Sequence, residues 1–149
     1  MQGSVRRGAE SDFDAICRVF QGRVGGDPDA TLKIGLTPEA NTDCLVAEVS
    51  GQIVGFGNRR KNKIKIICRL KGSTFAGVAD DILAGLEQLI LADGLRQVSL
   101  YAQPIEKGYP AENLIGFYLR HGYRVTSYNN GFSIDQKPFL LGAEMVKDL

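Results

Sequence analysis

A chain of 149 residues, 44% hydrophobic and 23% charged, has the composition of a folded protein and not of a disordered tail. Its net charge of +1 supplies no global field that would draw nucleic acid or an anionic membrane. Three cysteines, Cys17, Cys44 and Cys68, are too few and too scattered for a disulfide framework or a metal site, so each reads as a small buried hydrophobe in a reducing compartment.

At this length a single domain spanning 1–149 is expected, burying roughly two thirds of its unfolded surface. The opening MQGSVRRGAESD has no apolar core, so no secretory leader is expected. Glu87 and Asp93 interrupt the best candidate for a membrane span. A soluble, cytoplasmic protein is the expectation.

In chain order, Val5 to Arg7 suits a short strand. Ser11-Asp12-Phe13-Asp14 then reads as a helix start, with Ser11 accepting from the third helical N–H. Phe13, Ile16, Cys17 and Phe20 recur at helix spacing to about Arg23, and Gly25-Gly26-Asp27-Pro28 stops the run. Between 29 and 42 the pattern is weak, with a short helix near Ala30 to Ile34 and a turn at Thr37-Pro38. Cys44 to Val49 and Ile53 to Asn58 form the clearest local signal, two strands joined by Ser50-Gly51-Gln52. Gly55 and Gly57 inside the second strand leave room for a close backbone approach or a bulge.

Seven basic residues and no acidic one lie between Arg59 and Lys71. They read either as a solvated turn and strand face or as a basic wall facing an anionic substrate. The β-branched run from Ile64 is a buried strand, followed by a loop of small residues from Gly72 to Ala79. Ala79, Ile82, Leu86, Leu89 and Ile90 then mark one helix face, ended by Asp93-Gly94. Strand, small-residue loop and helix together aim unpaired N–H groups and a positive dipole end at one point, which suits a phosphate. Gln97 to Ala102 is a further strand, Pro104 to Pro110 an irregular loop, and Ala111 to His121 a second long helix stopped by Gly122. Tyr123 to Tyr128 and Phe139 to Val146 are the last strands, with Asn129 to Pro138 as a polar linker. Helices interrupt a longer series of strands, so the fold class is mixed α/β.

The order of these elements resembles the GNAT superfamily of acyl-CoA-dependent N-acyltransferases over nearly the whole chain. LVAEVSGQIVGFG (Leu45 to Gly57) is similar to that family's second and third strands. Thr74-Phe75-Ala76-Gly77-Val78-Ala79 fits its cofactor loop with Thr in the first place, and NLIGFYLRHGY (Asn113 to Tyr123) resembles its second signature. The resemblance implies a central mixed sheet of about six to seven strands flanked by helices. It also implies transfer of an acetyl group from acetyl-CoA to a primary amine of a small molecule or peptide, without a metal. The pyrophosphate would sit on N–H groups from Phe75 to Ala79, with Gly77 and Ala79 small enough for the backbone to approach. Leu70 and Gly72 would pair with the pantetheine arm, Thr74 and Asn113 complete the cofactor set, and Tyr118 would protonate the departing thiolate.

The chain departs from the family pattern at four places. Thr74 replaces a long polar side chain, and Asp80 brings a carboxylate next to the loop. Ala111 stands where many members have Asn, and the strand from Ile64 to Leu70 offers no acidic base. These departures support the alternative of a catalytically inactive binding or regulatory module. The expected partners are acetyl-CoA and an amine acceptor. Oligomeric state stays open, dimers being frequent among proteins that resemble this one.

Overall fold

The computed structural model describes residues 3–24, 30–70, 77–104 and 109–149. Among them are seven strands and three α-helices, the mixed α/β composition expected. They are β1 (Ser4–Arg7), α1 (Phe13–Arg23), β2 (Thr42–Val49), β3 (Gln52–Arg60), β4 (Lys63–Arg69), α2 (Val78–Ala92), β5 (Gln97–Ala102), α3 (Ala111–Arg120), β6 (Arg124–Phe132) and β7 (Pro138–Asp148). The chain divides into two compact units, Met1–Arg96 and Gln97–Leu149.

In the first unit β1 to β4 form an antiparallel series in chain order. Ser50 and Gly51 take left-handed φ values of 51° and 78°, the two-residue turn whose twist suits adjacent antiparallel strands. The alternation Gly55-Phe56-Gly57 then assigns the two faces of β3. Phe56 packs with Val46 and Cys68 against Ile16 and Val19 of α1 and against Leu32 and Leu36. On the other face the glycines let α2 come close. A Cβ at Gly55 would lie 2.5 Å from Val78 Cγ1, and one at Gly57 2.6 Å from Ile82 Cγ2. The helix contributes a third such contact at Gly85, 2.6 Å from Leu45 Cδ1. The close approach read from the two strand glycines is therefore a helix docking site. Cys44 and Cys68 are buried thiols, and burial pushes Cys44 up to about 12.

Two local expectations need correction. Ser11 does not cap α1, because Glu10–Asp12 forms a 3-10 turn and Asp12 takes the N-cap position. The cause is Arg6, whose Nη1 donates to Asp12 at 2.8 Å while Ala9 N–H donates to the same carboxylate at 2.8 Å. The Arg6 hydrogen bond holds the Asp12 carboxyl below its ordinary value. Arg59 belongs neither to a solvated face nor to a basic wall, since β3 runs on through it and buries it to 2% exposure. Its Nε donates to Asp43 Oδ2 at 2.8 Å, its Nη2 to both Asp43 and Asp93, and its Nη1 to the Lys61 C=O at 3.0 Å. A buried guanidinium needs such partners, and these tie β3 to β2 and to the C-terminal end of α2. Among the described members of the run, Arg60, Lys61, Lys63, Lys65 and Arg69 are exposed.

In the second unit β7 pairs antiparallel with both β5 and β6. Val98, Leu100 and Ala102 of β5 and Ala143 and Met145 of β7 are buried, as are Ile115 and Tyr118 of α3. The polar linker expected from Asn129 is shorter than its composition suggested. β6 continues to Phe132 and β7 starts at Pro138. Cross-hairpin pairing supplies the ladder bonds, and Phe139 and Leu141 fill the space above Gly131, where a Cβ would lie 2.8 and 3.1 Å from them.

Candidate functional site

The end of β4 and the start of α2 frame the proposed phosphate loop in the first unit. Leu70 N–H donates to the Val54 C=O at 2.7 Å, and its side chain joins the apolar cluster under α1. Gly72, Thr74, Phe75 and Ala76 lie outside the described residues. Gly77 is described, and it takes φ +80°, ψ 11° at the N-cap of α2, a left-handed conformation in which a side chain would be strained. Having no side chain, Gly77 cannot cap the helix. The first reach-back bond is Asp81 N–H to the Gly77 C=O at 2.9 Å, so the N–H groups of Val78 and Ala79 precede the ladder. Val78 is 1% exposed, its side chain against Gly55, and Ala79 is half-buried. Any contact that these two make with a ligand is therefore made through the backbone. Asp80 and Asp81 are exposed in the same first turn, where the helix dipole favours carboxylates.

The second unit holds the other two candidates. Tyr118 is 7% exposed and packs edge-on against Phe117 at 5.1 Å and Tyr123 at 5.5 Å. Burial alone pushes its phenol up from the ordinary value of 10.0. Asn113 is exposed in the first turn of α3, its N–H bonded to the Pro110 C=O at 3.1 Å. Its position five residues before Tyr118 puts it on another face of the helix. Ala111, two turns before Tyr118, shares the buried face. His121 closes the helix, its ring 4.6 Å from Phe117, in keeping with a C-terminal cap.

Two features carry no sequence signal of their own. Asn129 Nδ2 donates to Tyr101 Oη at 2.9 Å, and Glu144 stands opposite Tyr101 in the β5–β7 register. Strand alternation alone does not reveal such pairs, because the register is set by the hairpin. The first unit also has an open cleft of about 560 Å³ lined by Arg7, Leu36, Glu39, Thr42 and Asp43 among others. No group of three or more His, Cys, Asp or Glu placed to hold a metal occurs among the described residues. Among the described residues no helix is long and apolar enough to cross a membrane.

No protein-family model matches the sequence. No curated protein matches it. Solved structures do. PaiA N-acetyltransferase from Thermoplasma acidophilum, solved with coenzyme A, is 14% identical with a TM-score of 0.69, covering 100% of both chains. YncA from Salmonella typhimurium, solved with its cofactor acetyl-CoA, is 15% identical at a TM-score of 0.72, covering 100% of this chain and 95% of its own. The ribosomal-protein-S18-alanine N-acetyltransferase from Escherichia coli is 11% identical at 0.74, covering 99% and 94%. Identities this low establish the shared fold.

Proposed function

We propose that this chain, which has the fold of the GNAT N-acetyltransferases, is an acetyl-CoA-dependent N-acetyltransferase acting on a primary amine of a small molecule or peptide, in the cytoplasm. The observation that carries the reading is likeness over essentially the full chain to N-acetyltransferases solved with coenzyme A and acetyl-CoA. Gly77 supports it, because a left-handed glycine before an uncapped first turn leaves backbone N–H groups for an anion. In this reading N–H groups from Phe75 to Ala79 hold the pyrophosphate, with Thr74 and Asn113 at its margin. The strand end at Leu70 and Gly72 guides the pantetheine arm; at Leu70 the N–H is already committed to Val54, so its C=O makes that contact.

The amine nitrogen attacks the thioester carbonyl directly, the C–S bond breaks, Tyr118 gives its proton to the departing thiolate, and the proton shed by the nitrogen restores the phenol by way of solvent. The protein's main contribution is positioning the two reactants. Tyr118 suits proton donation in one respect: burial keeps its phenol protonated at any working pH. The second reading, an inactive module of the same fold, is favoured by Asp80 beside the phosphate loop and by a β4 without a carboxylate.

Thermal melting with acetyl-CoA separates the possibilities. Ligand at a hundred times its dissociation constant adds about 2.7 kcal/mol of apparent stability. No shift at millimolar ligand sinks the transferase reading. A shift with no thiol release across a panel of amines leaves the inactive module.

A further inference from the structure

The first unit segregates its charge. Its antiparallel series brings the end of β1, the start of β2, the end of β3 and the start of β4 to one end of the sheet, and the Arg59–Asp93 ion pair holds the end of α2 there too. Exposed basic residues gather at that end from three stretches of sequence: Arg7, the run Arg60, Lys61, Lys63 and Lys65, and Arg96, three residues past Asp93. Asp43 and Asp93 are already engaged, since Arg59 holds both and Arg7 donates to Asp43 at 2.7 Å. Arg60, Lys61, Lys63, Lys65 and Arg96 make no ion pair with a described residue. The acidic side chains left at this end are Glu39 and Glu10, and the Glu10 carboxylate accepts from Thr37 Oγ1 at 2.8 Å. The net charge of +1 therefore conceals a local excess of cations, and screening over about 8 Å makes the local excess the quantity that a partner meets.

We propose that this basic end is a docking surface for a nucleic-acid duplex, held through its phosphates without reading its sequence. The chemistry of the surface selects that partner. Single strands are held on aromatic platforms where bases stack, and among the described residues of the first unit the one exposed large hydrophobic is Leu91, which is not aromatic. A membrane surface asks for an apolar wedge beside the cations, and a single leucine does not make one. An acidic protein would need apolar anchors at the centre of the contact, which the same surface lacks. A duplex needs only fixed cations and hydrogen-bond donors at its phosphates.

The surface is separate from the proposed cofactor loop. That loop lies where β4 ends and α2 begins, whereas the cations lie where β4 begins and α2 ends. With seven residues in β4 and fifteen in α2, roughly 20 Å divides the two places. A duplex and acetyl-CoA can therefore be held at once, and none of this depends on the proposed reaction.

Fluorescence anisotropy of a labelled duplex of about 20 base pairs, titrated with the full chain from about 50 to 200 mM salt, tests it. The dissociation constant should lie at about 1–100 µM near physiological salt, with log K falling against log salt at a slope of about −3 to −4. Two duplexes of unrelated sequence should bind alike. Lys63→Gln combined with Lys65→Gln should flatten the slope by about 2 at an unchanged melting temperature, and Arg60→Gln combined with Lys61→Gln should do the same independently. Arg18→Gln combined with Lys137→Gln removes the same net charge elsewhere and should leave the slope as it is. Acetyl-CoA should not displace the duplex. No binding at the lowest salt overturns the proposal, as does a slope that neither pair alters or that the distant pair alters equally. Displacement by acetyl-CoA overturns it too, and so does tighter binding to phosphatidylserine vesicles or to polyglutamate than to the duplex.

Discussion

At Tyr118 two requirements pull in opposite directions. A proton donor to a thiolate works best with a pKa near the thiol's, yet burial raises this phenol above its ordinary value. The sign for stability follows from that rise. The folded state holds its proton more tightly than the unfolded one, so the contribution is complete below pH ~10 and is lost as pH rises above it. Absorbance titration at 295 nm should therefore show the Tyr118 phenol ionising only together with loss of the fold. Tyr118→Phe should cut turnover at least about tenfold while leaving the acetyl-CoA melting shift intact. An unchanged rate would return the residue to a packing role. Residues also differ in how far composition foretells them. Arg59 sits in a basic run that reads as surface, and only the partners Asp43 and Asp93, distant in sequence, make its burial tolerable. Asp43→Ala leaves that guanidinium short of its main partner and should cost about 3–5 kcal/mol in urea unfolding. Arg7→Ala removes the exposed side of the same chain of charges and should cost less than about 1 kcal/mol.

Between elements, the informative contact is α2 on β3. Gly55 and Gly57 were readable as places of close approach, but what approaches is a property of the fold: Val78 and Ile82, the first buried residues of the helix. Their depth fixes where the uncapped first turn lies, so packing on one face of β3 sets the position of the proposed phosphate-binding N–H groups. Gly55→Ala puts a methyl group 2.5 Å from Val78 Cγ1. It should destabilise by about 1–3 kcal/mol and weaken acetyl-CoA binding in calorimetry, because relief moves the start of α2. Asp80 acts on the same turn through charge. Asp80→Asn removes a negative side chain beside the expected pyrophosphate and should tighten acetyl-CoA about two- to fivefold, while the helix loses about 0.3–1 kcal/mol of dipole stabilisation. Affinity that falls or stays level in that variant would place the pyrophosphate elsewhere. The element boundaries themselves came mostly from local chemistry, as the left-handed turn at Ser50-Gly51 and the stop at Gly122 show. The polar stretch after Tyr128 did not, because its strand character comes from pairing with β7 and not from its own propensities.

Across the whole molecule, the fold was readable because it rests on an order of strands, turns and helices that survives at 11–17% identity to solved structures. Polar pairing was not, since Asn129 with Tyr101 or Arg59 with Asp93 joins residues 28 and 34 positions apart whose proximity only the folded chain creates. Surface character falls between these cases. The uncharged run from Val125 to Ile134 is visible in the sequence, yet buried and exposed apolar strands look alike until the sheet is assembled. That run has a consequence for solution behaviour. The chain carries a net charge of +1 at pH 7 and is isoelectric near pH 7.7, so charge repulsion between copies nearly vanishes just above neutrality. An exposed apolar hairpin is then unopposed, and light scattering at fixed concentration should rise as pH approaches 7.7 and fall again on either side. A double Phe132→Asp, Ile134→Asp variant, at two exposed positions of the hairpin, lowers the net charge at pH 7 from +1 to −1 and moves the isoelectric point down. Two effects can be told apart in it. Loss of repulsion alone predicts the same scattering maximum displaced to lower pH, whereas loss of the apolar contact predicts a maximum much reduced at every pH. The exposure of both side chains argues for the second outcome, and a displaced maximum of full height would show that net charge and not the hairpin governs association.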